Sequence, residues 1–319
     1  MKSLLLLCVL ACIPSSHAYP KDAFMVTSID ANESGIVAKI FLPECSEPRP
    51  AIIVLSGSDG GFYESVAQLF AEKGFVALAL AYFNADGLPK NLENIPLEYF
   101  LQGIHWLQSQ PYVKSDQIHL YGPSRGGELV LLLASTFPDE FSSVVAVVPS
   151  CVTYGGVPNE KMPSWTLAGK PIPAAPSPSR EDVYQQLRTQ KAVNLAKIFL
   201  AKMQNRPAFE AAMIKVENIR CPVLLISGKD DKMWPSSIYG ELIMQRLDTM
   251  GSSISRQHLC YEMVGHVIVN PLAPMTTEPF QHPVTKAFYE VGGEPEAQAA
   301  ANKDSWDKLV EFFLRCSHM

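Results

Sequence analysis

Short apolar runs alternate with amphipathic stretches along most of this chain. Each run is bounded by glycine, proline or polar residues, which is typical of strands buried on both faces of a parallel sheet. Between the runs, apolar residues recur at helical spacing, as at Leu97, Leu101 and Ile104. The alternation predicts an α/β fold with a mostly parallel central sheet, right-handed crossovers and helices on both faces. The predicted strands are residues 25–29, 36–42, 51–55, 75–81, 117–121, 143–148, 222–227 and 255–263, and the predicted helices are residues 62–73, 96–108, 128–137, 180–203, 236–249 and 305–316.

The alternation is interrupted between the predicted strands at 143–148 and 222–227. Residues 149–180 are rich in proline and glycine, and the interruption extends to about residue 205. In open α/β sheets, segments that follow the carboxyl ends of strands border the ligand site. We therefore interpret residues 149–205 as a cap insertion over that site, with a passive surface excursion as the alternative.

The N-terminus has the pattern of an export signal. A positively charged start is followed by an apolar run at residues 4–13, which is too short to cross a bilayer. A small-x-small sequence then ends at Ala18. We expect residues 1–18 to be a signal peptide, Tyr19 to be the mature N-terminus, and the protein to be exported, either periplasmic or secreted. No stable membrane span is expected.

Two other interpretations of this leader remain. The segment could be a buried N-terminal strand. Alternatively, Val9-Leu10-Ala11-Cys12 could act as a bacterial lipoprotein cleavage box. In that case a lipid on Cys12 would anchor the protein to a membrane.

The rest of the chain is long and apolar enough for one large domain. The full sequence has 319 residues, of which 47% are hydrophobic and 18% are charged, values typical of a packed globular protein. It shows neither an internal repeat nor an independent linker, so residues 19–319 are predicted to form a single domain. The net charge of −6 and the lack of a basic run argue against a nucleic-acid partner.

The strongest candidate for chemistry is a Gly-x-Ser-x-Gly sequence at residues 122–126. This motif alone is common, but here a β-prone apolar run enters it and a strong helix former leaves it, as a nucleophile elbow requires. A β-carbon at Gly122 or Gly126 would clash with neighbouring backbone in so tight a turn. The helix N-terminus would favour negative charge that develops beside the Ser124 hydroxyl. We therefore predict that Ser124 is a nucleophile.

A serine nucleophile needs a base beside it, and the base needs an acid that orients it. In this strand–turn–helix context the chain order is serine, acid, histidine. Asp230 and Asp231 follow one predicted strand and His266 follows the last, so all emerge at the sheet edge that carries Ser124. We favour Asp231 over Asp230 because of its spacing from the strand-ending glycine. His282 is the one competitor of His266, because the other mature histidines lie on predicted helices or strands or at the tail.

The tetrahedral intermediate of acyl transfer needs two hydrogen-bond donors for its oxyanion. One candidate is the main-chain N–H of Arg125, directly after the nucleophile. The other is the N–H of Ser58, because Ser56-Gly57-Ser58 follows the strand at 51–55 in the place of the second oxyanion loop. This chemistry requires no metal or organic cofactor.

A set of further motifs occurs along the chain. They are Gly57-x-x-Gly60-Gly61, Leu78-Ala79-Leu80-Ala81-Tyr82-Phe83-Asn84, Leu88-Pro89-Lys90-Asn91, Leu97-Glu98-Tyr99-Phe100, Gly228-x-Asp230-Asp231-x-x-Trp234, Gly265-His266 and Gly292-Gly293-Glu294-Pro295. Together they resemble the family of acyl-CoA thioesterases and bile acid-CoA:amino acid N-acyltransferases. The resemblance covers roughly residues 51–316.

This resemblance implies an α/β-hydrolase fold of the dienelactone-hydrolase type. It also implies cleavage of an acyl-CoA thioester, or transfer of its acyl group to an amino acid. Ser124, Asp231 and His266 match the family's triad positions, and a serine nucleophile resembles the hydrolytic members. Two features depart from the family. Its members act inside cells, whereas this chain begins with the pattern of an export signal. Its members also carry a β-sandwich domain ahead of the hydrolase domain, whereas here residues 19–50 separate the predicted leader from the first core strand.

The resulting hypothesis is a serine hydrolase that cleaves a small-molecule acyl ester or thioester through an acyl-enzyme intermediate. Two enzymatic alternatives are a carboxylesterase or dienelactone-type hydrolase on extracytoplasmic esters, and an acyl transferase to an amino acid. A third alternative is a catalytically silent hydrolase fold used as a binding protein. The intact Ser124, Asp231 and His266 argue against that last alternative.

Overall fold

The computed structural model describes residues 24–29, 35–268, 271 and 277–317. The predicted signal peptide at residues 1–18, with Cys12, lies outside the described residues, as does the predicted mature N-terminus at Tyr19. Export and lipid attachment therefore stay predictions. Within the described residues, no helix is both long and apolar enough to cross a bilayer.

A central sheet of eight strands organises the chain. The strands of the described residues, in the central sheet and in two smaller ones, are β1 (Phe24–Ile29), β2 (Val37–Pro43), β3 (Arg49–Val54), β4 (Val76–Ala81), β5 (Ile95–Pro96), β6 (Val113–Pro123), β7 (Ser143–Val147), β8 (Trp165–Leu167), β9 (Lys170–Pro171), β10 (Val223–Gly228), β11 (Arg256–Tyr261), β12 (Phe280–Gln281) and β13 (Phe288–Tyr289). The order in the central sheet is β1-β2-β4-β3-β6-β7-β10-β11. The six strands β4, β3, β6, β7, β10 and β11 are parallel to one another. At the edge beside β4, β2 pairs antiparallel with β4, and β1 pairs antiparallel with β2. The mostly parallel sheet predicted from the buried apolar runs is confirmed.

Helices cover both faces of this sheet. They are α1 (Glu64–Glu72), α2 (Glu98–Gln108), α3 (Arg125–Thr136), α4 (Arg180–Leu187), α5 (Leu195–Lys202), α6 (Arg206–Ala211), α7 (Ser236–Thr249) and α8 (Pro295–Cys316). Successive strand residues point to opposite faces, so Ile53 packs in one buried cluster with Phe100 of α2. Its neighbour Ile52 packs in the other cluster with Trp306 of α8. The predicted arrangement of helices on both faces is confirmed.

Most predicted helices differ from the structure by no more than three residues at either end, but two differ by more. The predicted helix at 180–203 is two helices, α4 and α5, because Asn194 leaves helical geometry and its side chain accepts a hydrogen bond from the Lys197 N–H at 3.2 Å as an N-cap. The last helix begins at Pro295 instead of residue 305. Its first turns are mostly small or polar, so apolar periodicity does not mark them, whereas proline in the first turn of a helix is favourable.

The segment between β7 and β10 lies at the carboxyl ends of the parallel strands. It contains α4, α5 and α6, together with β8 and β9, and β8 pairs with β5 in a small separate sheet. A second small sheet is the antiparallel hairpin of β12 and β13. Both additions border the sheet edge at which the candidate catalytic residues emerge.

Candidate active site

Ser124 lies in a strained turn between β6 and α3. Its φ of 57° and ψ of −120° place it in a backbone region that residues with a β-carbon rarely occupy. Such a conformation costs about 1–3 kcal/mol and persists only where the surrounding structure holds it. Part of that support is the Ser124 N–H, which donates to the Val147 carbonyl at 2.9 Å. The turn therefore has the geometry predicted for a nucleophile elbow.

The two glycines of this turn lie against backbone atoms. A β-carbon added at Gly122 would lie 2.4 Å from the Gly126 carbonyl oxygen, and one added at Gly126 would lie 2.5 Å from the Ser56 carbonyl oxygen. Because backbone cannot move away as a flexible side chain can, both positions require glycine. The sequence prediction that β-carbons would clash here is confirmed.

Gly126→Ala should separate α3 from the loop that follows β3. We expect the free energy of unfolding to fall by about 1–3 kcal/mol, and kcat to fall on the order of 10²-fold because the reacting groups move apart. Urea unfolding and steady-state kinetics measure the two effects. Gly169→Ala is the control for destabilisation without a backbone clash, since its φ of 72° strains an alanine although a β-carbon there meets nothing within 4 Å. Equal effects of the two variants on kcat would contradict the role of the Gly126 contact.

The structure brings the three predicted triad residues together. Ser124 Oγ lies 3.0 Å from His266 Nε2, and His266 Nδ1 lies 2.8 Å from Asp231 Oδ2. The His266 main-chain N–H donates to the Val291 carbonyl at 2.8 Å, which fixes the loop after β11. The arrangement can pass the Ser124 hydroxyl proton to His266 while a carboxylate holds the other ring nitrogen.

Asp231 is held rigidly for this contact. Its Oδ1 accepts hydrogen bonds from the main-chain N–H groups of Met233 at 2.9 Å and Trp234 at 3.2 Å. The other oxygen is thereby directed at His266, and the Asp231 side chain is 1% exposed. The Trp234 ring packs edge-on against the His266 ring, with centroids 6.0 Å apart. Of the two candidate acids, Asp231 is the one that contacts the histidine.

Asp230 holds the neighbouring loop instead. One carboxylate oxygen accepts from the Gly293 N–H at 2.8 Å, and the other pairs with Lys232. Its side chain is 39% exposed. This carboxylate connects the loop after β10 to the segment before α8.

His282, the competitor of His266, occupies another part of the same cleft. Its Nε2 lies 2.9 Å from Ser58 Oγ, whereas His266 contacts the nucleophile. His105, His119 and His258 lie in α2, β6 and β11, as the sequence predicted, and His318 lies outside the described residues.

The two predicted oxyanion donors border the nucleophile. The Arg125 N–H is the first of α3, and the first N–H groups of a helix have no acceptor within it. Ser58 lies in the loop after β3, where a β-carbon added at Gly57 would lie 3.5 Å from Ser124 Cβ. Tyr82 supports this loop through a hydrogen bond from its hydroxyl to the Ser56 carbonyl at 2.8 Å.

The Arg125 side chain points into the protein, a role that the sequence did not predict. Its guanidinium pairs with Glu128 at 2.8 Å and donates to the Tyr154 carbonyl at 2.9 Å and to Ser164 Oγ. Glu128 also accepts from the Trp165 ring N–H at 2.7 Å. Burial raises the pKa of Glu128, and Arg125 opposes this shift. This buried pair connects the segment after β7 to the first turn of α3. The sequence indicated the pair only by placing an arginine and a glutamate three residues apart in an apolar helix.

Two cavities meet at Ser124 and His266. The first, of about 310 Å³, lies between the loop after β3 and the β12–β13 hairpin. The second, of about 130 Å³, lies against the segment between β7 and β10. Its apolar wall is formed by Val157, Pro158, Val183, Leu195 and Phe199. The site thus offers an apolar recess on one side of the nucleophile and a larger space on the other.

Comparisons with known proteins agree on one family. The family model described as "BAAT / Acyl-CoA thioester hydrolase C terminal" matches residues 95–317. The chain is 33% identical over 306 residues to acyl-coenzyme A thioesterase 1 of Mus musculus, which covers 93% of this chain and 68% of the relative. It is 32% identical over 293 residues to the mitochondrial acyl-coenzyme A thioesterase 2 of Mus musculus, covering 90% and 60%. The chain thus spans 60–68% of the length of these relatives.

Solved structures share the fold at low sequence identity. A dienelactone hydrolase-like promiscuous phosphotriesterase from metagenomic libraries superposes with a TM-score of 0.54 at 16% identity, covering 92% of this chain and 99% of that one. An α/β-hydrolase enzyme from a deep-sea metagenome library of the Medee basin superposes with a TM-score of 0.55 at 14% identity, covering 93% and 99%. The predicted α/β-hydrolase fold is confirmed.

Proposed function

The chain belongs to the family of BAAT and acyl-CoA thioester hydrolases, and from this membership we propose that it is a serine hydrolase that cleaves acyl thioesters through an acyl-enzyme intermediate. The observation that carries the proposal is the continuous hydrogen-bonded contact from Ser124 through His266 to Asp231. Family membership supports hydrolase activity, and this contact supports serine as the nucleophile.

In the proposed mechanism, Ser124 Oγ attacks the acyl carbonyl carbon and its proton passes to His266 Nε2. Asp231 keeps the ring oriented and stabilises its positive charge. The N–H groups of Ser58 and Arg125 stabilise the oxyanion. As the intermediate collapses, the carbon–sulfur bond breaks and His266 protonates the leaving thiolate. Water then attacks the acyl carbonyl carbon while His266 takes a proton from it. The bond between the acyl carbon and Ser124 Oγ breaks as His266 returns that proton to Ser124, and the carboxylic acid leaves.

We assign the two cavities by size and by the cap. The acyl chain occupies the recess beside Phe199, because residues of the cap give that recess a wall of apolar side chains. The leaving group, which in an acyl-CoA is a large group, occupies the larger cavity of about 310 Å³. In this assignment residues 149–205 act as the cap predicted from the sequence, because they form most of the apolar wall.

Export by residues 1–18 is part of the proposal and rests on the leader pattern alone. An exported enzyme would meet its acyl substrates outside the cytoplasm, which keeps the carboxylesterase alternative open. N-terminal sequencing of the exported protein should begin at Tyr19, and a mature protein that begins at Met1 would contradict export.

Thiol release from a series of acyl-CoA esters tests the proposed function. We expect kcat/KM for acyl-CoA to exceed that for p-nitrophenyl esters of the same acyl chain, with Ser124→Ala inactive on both. Serine-dependent activity on the simple esters alone would favour a carboxylesterase. Conjugates formed when glycine or taurine is added would favour an acyl transferase.

A further inference from the structure

A second serine–histidine pair lies beside the triad, and the mechanism above uses neither of its side chains. Ser58 Oγ lies 2.9 Å from His282 Nε2, and both residues line both cavities that meet at Ser124. Ser58 follows β3, whereas His282 follows β12, at the other end of the chain. The pair therefore forms only when the hairpin packs against the active-site loop.

The hydrogen bonds of His282 determine which ring nitrogen carries its proton. Nδ1 accepts from the main-chain N–H groups of Val284 at 3.1 Å and Thr285 at 3.2 Å, so Nδ1 presents a lone pair. The residue is 4% exposed, and burial, with Lys286 as the smaller cause, lowers the pKa of His282 to about 4. At neutral pH the ring is therefore neutral and protonated on Nε2.

This tautomer decides the direction of the contact with Ser58. The His282 Nε2–H donates and Ser58 Oγ accepts, which leaves the Ser58 hydroxyl proton available for another acceptor. His282 cannot serve as a base toward either serine, because its lone pair is directed at the hairpin backbone. Ser58 itself adjoins the nucleophile, since its neighbour Gly57 lies against Ser124.

We propose that the Ser58 hydroxyl, oriented by His282, is a third donor to the oxyanion, beside the main-chain N–H groups of Ser58 and Arg125. The hydroxyl keeps its proton and hydrogen bonds to the carbonyl oxygen as negative charge develops there. His282 is a positioning residue that fixes this donor before the reaction, so no reorganisation is needed at the transition state. The inference rests on the proposed function, because an oxyanion forms here only if Ser124 attacks.

Ser58→Ala tests the donor directly. We expect kcat to fall about 10²-fold, the range for loss of one oxyanion donor, with KM unchanged within about twofold. Affinity for a trifluoromethyl ketone analogue of the acyl thioester should fall by a similar factor, because its adduct with Ser124 carries the oxyanion. The matched control is Ser109→Ala, an exposed serine at the end of α2 that bonds to the Trp106 carbonyl.

His282→Phe tests the positioning role, because phenylalanine keeps a ring in the pocket but removes the donor. We expect kcat to fall as in Ser58→Ala, and the double variant to be no slower than Ser58→Ala alone, as for two residues that act as one unit. If kcat of the double variant fell by the product of the two single-variant factors, the coupling between Ser58 and His282 would be contradicted. If His282→Phe does not fold, Ser58→Ala decides the proposal by itself.

The outcomes separate this inference from the proposed function. If Ser124→Ala is inactive while Ser58→Ala keeps kcat within about twofold of the wild type, the third donor is refuted and the serine mechanism stands. If Ser124→Ala retains activity, the proposed function fails, whatever the effect of Ser58→Ala.

Discussion

Ser124→Ala should lower kcat for thioester hydrolysis on the order of 10⁶-fold, the loss measured when a triad nucleophile is removed. The reason lies in the geometry of the base. His266 Nε2 contacts Ser124 Oγ at 3.0 Å, and the nearby Ser58 hydroxyl is held by His282 instead. The Ser58 hydroxyl therefore does not replace Ser124 as a nucleophile that His266 can activate. Thiol release under saturating acyl-CoA measures the effect, and activity within about tenfold of the wild type would refute serine catalysis.

A second substitution at this position separates catalysis from backbone strain. Ser124→Gly should be as inactive as Ser124→Ala, yet more stable by about 1 kcal/mol. Glycine adopts the φ of 57° without a clash, and the strain relieved exceeds the entropy that glycine adds to the unfolded chain. Urea unfolding of the two variants compares them. Equal stabilities would mean that the strain at Ser124 is negligible.

The sequence sufficed to predict the sheet and the positions that the structure brings together at the site. Buried parallel strands read as continuous apolar runs, so β3, β4, β7 and β10 stand out without any knowledge of their partners. The triad positions follow from the same reasoning, since a loop directly after such a strand must emerge at the carboxyl edge. Ser124, Asp231 and His266 each follow a predicted strand.

Other contacts between side chains distant in sequence could not be predicted in this way. Ser58 and His282 are 224 positions apart, and no periodicity relates them. The Arg125 side chain likewise acquires its role from Tyr154 and Ser164, which belong to a segment without regular pattern. Local patterns record burial and turns, whereas such pairs depend on how loops pack after the fold has formed.

Asp231→Asn should lower kcat on the order of 10⁴-fold, whereas Asp230→Asn should change kcat by less than about threefold. Two main-chain N–H groups, from Met233 and Trp234, hold Oδ1 of Asp231, so in the asparagine variant the carbonyl oxygen takes that place. The amide NH₂ then faces His266 Nδ1 and stabilises the tautomer protonated on Nε2. That tautomer cannot accept the Ser124 proton, which is the cause of the loss of this size in a serine triad.

The paired variants distinguish orientation of the histidine from mere removal of negative charge. Both substitutions remove one carboxylate from the same loop, and both leave an oxygen acceptor for the main-chain donors. Only residue 231 determines the tautomer of His266, because Asp231 Oδ2 lies 2.8 Å from His266 Nδ1. If Asp230→Asn lost as much activity as Asp231→Asn, the local negative charge would matter more than the contact, and the assignment of Asp231 as the triad acid would be wrong. Steady-state kinetics at one pH, with unfolding curves for both proteins, therefore decide between the two neighbouring aspartates.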